Sequence, residues 1–382
     1  MTDSLAPLKA DGFSEALDLL DDLVNRDDIA FLFGAGTSYC EDMPLMSDLT
    51  SAVLRSTRLG AESKVLLSSI QSLFGASSAN IEDYLSEVGD LLAIADRRDR
   101  RRASFNALEI SGASFTASQL RTALSEIKAS IAEAIEACAV PNRLMHHRHL
   151  VSALHRPLRP GKPKGRTVAY LLLNYDTFIE DALALEQVPY ADGIEGGPNG
   201  WWLPETTFSR TDVSAKVMKL HGSIDWWQEE NHPLPRRATK RIRDEAGTAG
   251  QVLIWPASTK YSETQRDPFA QLLGMARTVI NPAKNSSRFL GIAGYSFGDE
   301  HINAELEAAL KQSEGRLTVA VFTSQETLEG PLKKLHDDND VSENLLIFGK
   351  RGFYHGSSVF RSAADLPWWK FENFARLIAG ER

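Results

Sequence analysis

Asn174 and Asp176 lie two residues apart at the end of an apolar run, in the segment LLLNYDTFIE. In extended chain, residues two apart share a face, so an amide and a carboxylate are presented together. Such a pair suits work on a sugar: the carboxylate accepts hydrogen bonds from ribose hydroxyls, and the amide orients a ribose or a water. A plainer use is a turn in which Asp176 caps the next helix. His221 closes a second short run, MKLHGSIDW. Imidazole is the usual proton carrier near neutral pH, although a lone histidine often serves packing. Two glycine motifs complete the set. FLFGAGTS presents Gly34, Ala35, Gly36, Thr37 and Ser38, whose backbone N–H groups and hydroxyls suit a pyrophosphate. Tyr39 stands where the full dinucleotide fingerprint would continue toward a third glycine, so a tight strand-to-helix turn is the competing reading. GIAGYSFGDEH presents Gly294 and Ser296 as a second phosphate or ribose contact, with Asp299 and His301 also suited to opening a helix.

The elements that must position these groups are legible as short apolar runs at 29–33, 168–173, 217–220, 252–255, 289–293, 317–322 and 345–348. Most are continuous rather than alternating, as in strands covered on both faces of a parallel sheet. Helical patterns at 268–280 and 300–312 lie between them. The expectation is an α/β fold with a doubly wound, mostly parallel, Rossmann-like sheet. In such sheets ligands bind beyond the carboxyl ends of the strands, where each of the four motifs falls.

Residues 49–154 read differently. Segments 81–92 and 119–138 place apolar residues at three- and four-residue steps. A large helical insertion is expected between the first two sheet strands, with a Pro/Gly/basic loop at 155–166 returning the chain to the sheet. The domains are then 1–48 with 155–382, the Rossmann-like unit, and 49–154, the helical subdomain. The insertion is either a lid on the sheet or a partner surface. Its basic run, Arg97, Arg98, Arg100, Arg101 and Arg102, reads as a solvated face.

Composition narrows the classes. The 382 residues carry a formal net charge of -9, a poor basis for direct nucleic-acid binding. The two cysteines, Cys40 and Cys138, exclude a disulfide framework and a four-cysteine zinc ribbon, and no metal is expected. A cytoplasmic protein is expected: the N-terminus has no basic-then-apolar signal pattern, and no apolar run approaches the roughly 18 residues of a membrane span.

Together the four motifs resemble the sirtuin-like (Sir2-like) superfamily. FLFGAGTS looks like its first NAD-binding loop, LLLNYDTFIEDAL its Asn-x-Asp motif, KLHGSIDWW its catalytic-histidine motif, and GIAGYSFGDEHIN its later Gly-x-Ser motif, in the family's order. There are departures. Deacetylase sirtuins carry paired zinc-binding cysteines after the histidine, whereas residues 225–252 contain no cysteine; the Phe-Arg pair after the first loop is also missing, 39–49 reading YCEDMPLMSDL. These features are similar to bacterial anti-phage Sir2-like proteins that degrade NAD. The chain ends at Arg382 without a large sensor domain, and so looks like the stand-alone subunit that works with a HerA-type hexameric ATPase. The resemblance implies NAD+ as substrate, homo-oligomerisation, catalysis by Asn174, His221 and Asp176, and cofactor contacts from Gly34 to Ser38, Asn174, Asp176, Gly294 and Ser296. Two rivals stand beside NAD hydrolysis: a protein deacylase using the same residues, and a non-catalytic NAD or ADP-ribose binding module.

Overall fold

The structure is a computed structural model and describes residues 4–9, 12–75, 79–100, 107–138, 144–156, 166–229, 234–239, 251–253 and 267–382. Helix α1 (Phe13–Val24) buries Leu17, Leu20 and Val24 along one face and leads into β1 (Ile29–Phe33), all five residues of which are buried. The chain then leaves the sheet through α2 (Met46–Leu54), α3 (Ala61–Leu73), α4 (Ile81–Arg100), the hairpin β2 (Leu108–Ile110) and β3 (Ala113–Phe115), and α5 (Ala117–Cys138). It returns through α6 (Met145–His155), β4 (Val168–Leu172) and α7 (Phe178–Leu185). Short strands follow: β5 (Tyr190–Ala191), β6 (Ile194–Glu195) and β7 (Trp201–Trp202), then the single turn α8 (Pro204–Thr207). Next come β8 (Ala215–Lys219), β9 (Gly222–Trp227), β10 (Arg236–Arg237) and β11 (Gln251–Leu253). The last part alternates α9 (Phe269–Ile280), β12 (Arg288–Ala293), α10 (Glu300–Gln312), β13 (Leu317–Thr323), α11 (Gly330–Asp337) and β14 (Leu345–Gly349). It ends with β15 (Gly352–His355), β16 (Ser358–Arg361) and α12 (Phe371–Ile378).

The main sheet has nine strands in the order β16-β15-β14-β13-β12-β1-β4-β8-β5. All pairs from β14 to β5 are parallel, and β15 and β16 add an antiparallel edge. From β1 the chain moves outward to β4 and β8, then crosses to β12 on the other side and continues to β14. That is the Rossmann order, and its reversal between β1 and β12 creates a crevice at their carboxyl ends. The continuous apolar runs have a physical cause: alternate residues of each strand enter opposite cores. Phe31 and Phe33 join α1, α6 and α12 on one face; Ala30 and Leu32 join α9, α10 and α11 on the other.

One expected strand lies elsewhere. The run at 252–255 is not in the parallel sheet: β11 pairs antiparallel with β9 in a second sheet of order β11-β9-β10-β7-β6, and residues 254 and 255 lie outside the described residues. An apolar run cannot by itself distinguish a central parallel strand from one in a small satellite sheet. Three of its strands, β9, β10 and β11, lie in the stretch after His221, and β6 and β7 precede it.

Helices α2 to α5 share a third core, which also takes in Tyr175, Phe178, Ile224 and Leu253. Arg97, Arg98 and Arg100 fall in the last turn of α4; Arg101 and Arg102 are outside the described residues, as is most of the loop expected at 155–166. No helix among the described residues is long and apolar enough to cross a membrane.

Candidate active site

Four strand ends are tied together by main-chain hydrogen bonds beyond the ladders themselves. Gly34 N–H donates to Ala293 O (3.1 Å), Leu173 N–H to Phe33 O (2.9 Å) and Leu220 N–H to Leu172 O (2.8 Å). The ends of β12, β1, β4 and β8 are therefore fixed relative to one another, and the residues that follow each strand open onto one cleft of about 940 Å³. Gly34, Ala35, Gly36, Asn174, Asp176, His221, Gly294 and Ser296 all line it.

The glycines are required by contact distance. A Cβ on Gly34 would lie 2.6 Å from Gly294 O, one on Gly36 would lie 2.8 Å from Gly294 Cα, and one on Gly294 would lie 2.3 Å from the Thr37 nitrogen. Gly294 also has φ +65, in the left-handed region that glycine adopts without penalty. The two loops thus touch backbone to backbone, with Gly36 N–H donating to Gly294 O at 2.9 Å. Bare backbone at a sheet's switch point is what close approach of a pyrophosphate needs.

Thr37 and Ser38 have a different position from the other loop residues. Both are buried and absent from the cleft lining. The Thr37 hydroxyl donates to Gly34 O (2.9 Å) and the Ser38 hydroxyl to Asp176 Oδ2 (2.8 Å). The Asn174 amide donates to Ser38 Oγ (2.7 Å) and Thr37 Oγ1 (3.1 Å). The two hydroxyls therefore face inward and orient Asn174 and Asp176 instead of lying against the cleft. Asp176 Oδ1 in turn accepts from Phe178 N–H (3.1 Å), tying the motif to the start of α7. Asn174 is left with its Oδ1 buried and without a hydrogen-bond partner. A buried acceptor costs free energy unless something donates to it, so this atom calls for a ligand hydroxyl or a water.

Behind the carboxylate, Lys219 is buried at the end of β8, donates to the Asp176 carbonyl and stands 3.5 Å from Glu180 Oε1. Burial pushes the Glu180 carboxyl up to about 7, against the pull of Lys219. From the ordinary 4.5 to about 7, the folded chain keeps a proton that the unfolded chain releases. Stability must therefore fall as pH rises through that window. Glu180→Gln should flatten this dependence, by up to about 3 kcal/mol; urea midpoints for both proteins below and above the window check it.

His221 stands 4.0 Å, Nε2 to Oδ2, from Asp299 at the start of α10, and its ring centroid is 5.9 Å from that of His301. Asp299 also lines the cleft, so a carboxylate stands beside the imidazole there. The sequence suggested only a helix-opening role for it.

Other lining residues carried no motif. Leu49, Glu82 and Ile135 reach the cleft from the segment read as an insertion, and Trp369 to Glu372 reach it from the start of α12. Thr323 ends β13 and Ser324 and Gln325 follow it, and the strand-end rule that found the other motifs would have found these too.

Residues 168–343 match the SIR2-like domain family. The matched segment contains Asn174, Asp176, His221, Gly294 and Ser296, while the Gly34–Ser38 loop precedes it. The match spans a little under half of the chain and supports a likeness of that segment to Sir2-like domains. No curated protein sequence matches the chain. That likeness agrees with the switch-point cleft.

Proposed function

We propose that this Sir2-like chain hydrolyses NAD+ at the bond between nicotinamide and ribose. The observation that carries the proposal is Asn174, held on the cleft wall by Thr37 and Ser38 with its Oδ1 buried and lacking a hydrogen-bond partner. The C1′–N bond breaks and its electron pair leaves with nicotinamide, which becomes neutral. Positive charge grows on the ribose, and water bonds to C1′. Asn174 orients that water or the ribose, and His221 takes the proton as general base. Asp176 fixes Ser38 and retains lone pairs for ribose hydroxyls. The bare loops at Gly34–Gly36 and Gly294 hold the pyrophosphate, with Ser296 on the adenosine side. No step in this sequence calls on a metal.

The cysteine-free stretch after His221 favours hydrolysis over deacylation. The test is a time course of NAD with the purified chain, with and without an acyl-lysine peptide. Equimolar nicotinamide and ADP-ribose, independent of peptide, is expected. Consumption only with peptide would establish the deacylase, and binding without turnover the non-catalytic module. By the same resemblance we place this activity in anti-phage defence by NAD depletion, in a homo-oligomer working with a HerA-type ATPase in the cytoplasm. Co-purification with such an ATPase, and faster NAD loss in its presence, is the expected result.

A further inference from the structure

Beside the cleft, two chain segments far apart in sequence bring three ligating side chains together. Cys40 and Glu41 follow the glycine loop in the short helical turn Tyr39–Glu41, and His147 comes from the first turn of α6. One ligand atom from each, sulfur, carboxylate oxygen and imidazole nitrogen, lies within 4.8 Å of the other two. Glu41 is 4% exposed and His147 1%. Glu41 Oε1 and His147 Nδ1 face one another at 3.7 Å, too far for a hydrogen bond, and neither atom has a hydrogen-bond partner. The imidazole is held by ring contacts with Phe371 (4.6 Å) and Phe178 (5.4 Å). Two buried, unpartnered polar atoms aimed at one space are costly unless something occupies it.

We propose that Cys40, Glu41 and His147 form a three-ligand site for a divalent transition metal, zinc by the chemistry of its donors. Thiolate, imidazole and carboxylate together suit zinc and exclude the hard cations calcium and magnesium, which take oxygen ligands. Binding a metal through the Cys40 sulfur releases the thiol proton. The two cysteines of the sequence exclude a ribbon, but not a site that takes one cysteine and completes it from another element. Bound metal would fasten the segment after Ser38 to α6, and with it the loop that holds Asn174. This inference stands apart from NAD hydrolysis and is tested without NAD.

The experiment is a cobalt(II) titration of the full chain in a non-thiol reductant, followed by zinc displacement. Expected are one equivalent bound, a thiolate-to-cobalt charge-transfer band, its loss on adding zinc, and a zinc-dependent rise in melting temperature. Cys40→Ser should lose the band while Cys138→Ser keeps it. Glu41→Gln and His147→Gln should weaken zinc more than about 100-fold, beyond what loss of an outer-shell partner costs. A wild-type chain with no band overturns the site, whatever the variants do. So does a band that survives Cys40→Ser, or zinc affinity unchanged in His147→Gln.

Discussion

Asn174→Ala should lower nicotinamide release by about a hundredfold or more, the scale on which losing an oriented polar group at a reacting centre is felt. The loss should fall on kcat, with NAD affinity little changed, because the glycine loops that carry the pyrophosphate are untouched. The fold should survive. The Asn174 amide is the donor to Thr37 and Ser38, and both hydroxyls still donate elsewhere, to Gly34 O and to Asp176. The cost is two lost hydrogen bonds with no buried donor stranded, about 1–2 kcal/mol. Asn174→Asp is a stricter test: it is nearly isosteric, but a carboxylate cannot donate to Ser38 and adds charge beside Asp176. It should be equally inactive. Steady-state kinetics with a melting curve for each variant separate the two effects, and wild-type turnover in both would remove Asn174 from the reaction.

The second large effect is structural. Gly294→Ala puts a Cβ 2.3 Å from the Thr37 nitrogen and 2.7 Å from the Gly36 carbonyl carbon, at φ +65. Both neighbours are backbone, and the Gly36–Gly294 hydrogen bond fixes them in place, so no side chain can swing aside. Left-handed strain and overpacking together should cost about 3 kcal/mol, with loss of NAD binding as the loops part. Gly274→Ala is the control of opposite sign. Gly274 lies exposed in α9, and an alanine Cβ there would meet nothing within 4 Å. At that position alanine should stabilise by up to about 1 kcal/mol. Urea denaturation of the three proteins decides the matter. Equal midpoints for Gly294→Ala and wild type would mean the loops do not make the contact described.

The parallel sheet was legible because its strands are buried on both faces, which writes them as continuous apolar runs. The motifs were legible because each follows such a run, and a parallel sheet delivers strand ends to one edge. What was not legible depends on pairs distant in sequence. The run at 252–255 has the same composition as a central strand, and only the antiparallel partner β9 places its described part, residues 252 and 253, in the satellite sheet. Thr37 and Ser38 read as phosphate ligands by type, yet their hydroxyls turn inward because Asn174 and Asp176 from β4 meet them there. Asp299 read as a helix opener, and its approach to His221 needs β8 and α10 to share an edge. His147 carried no signal, since neither Cys40 nor Glu41 lies near it in the chain.

The central claim is that NAD is bound and cleaved where β1, β12, β4 and β8 end. The most direct measurement is a crystal structure of the Asn174→Ala chain with NAD. The pyrophosphate is expected against the backbone of Gly34–Gly36 and Gly294, with the nicotinamide ribose at the end of the cleft that holds residue 174 and His221. NAD seated outside this cleft, or with its nicotinamide ribose at the Thr323–Gln325 end, would contradict the account.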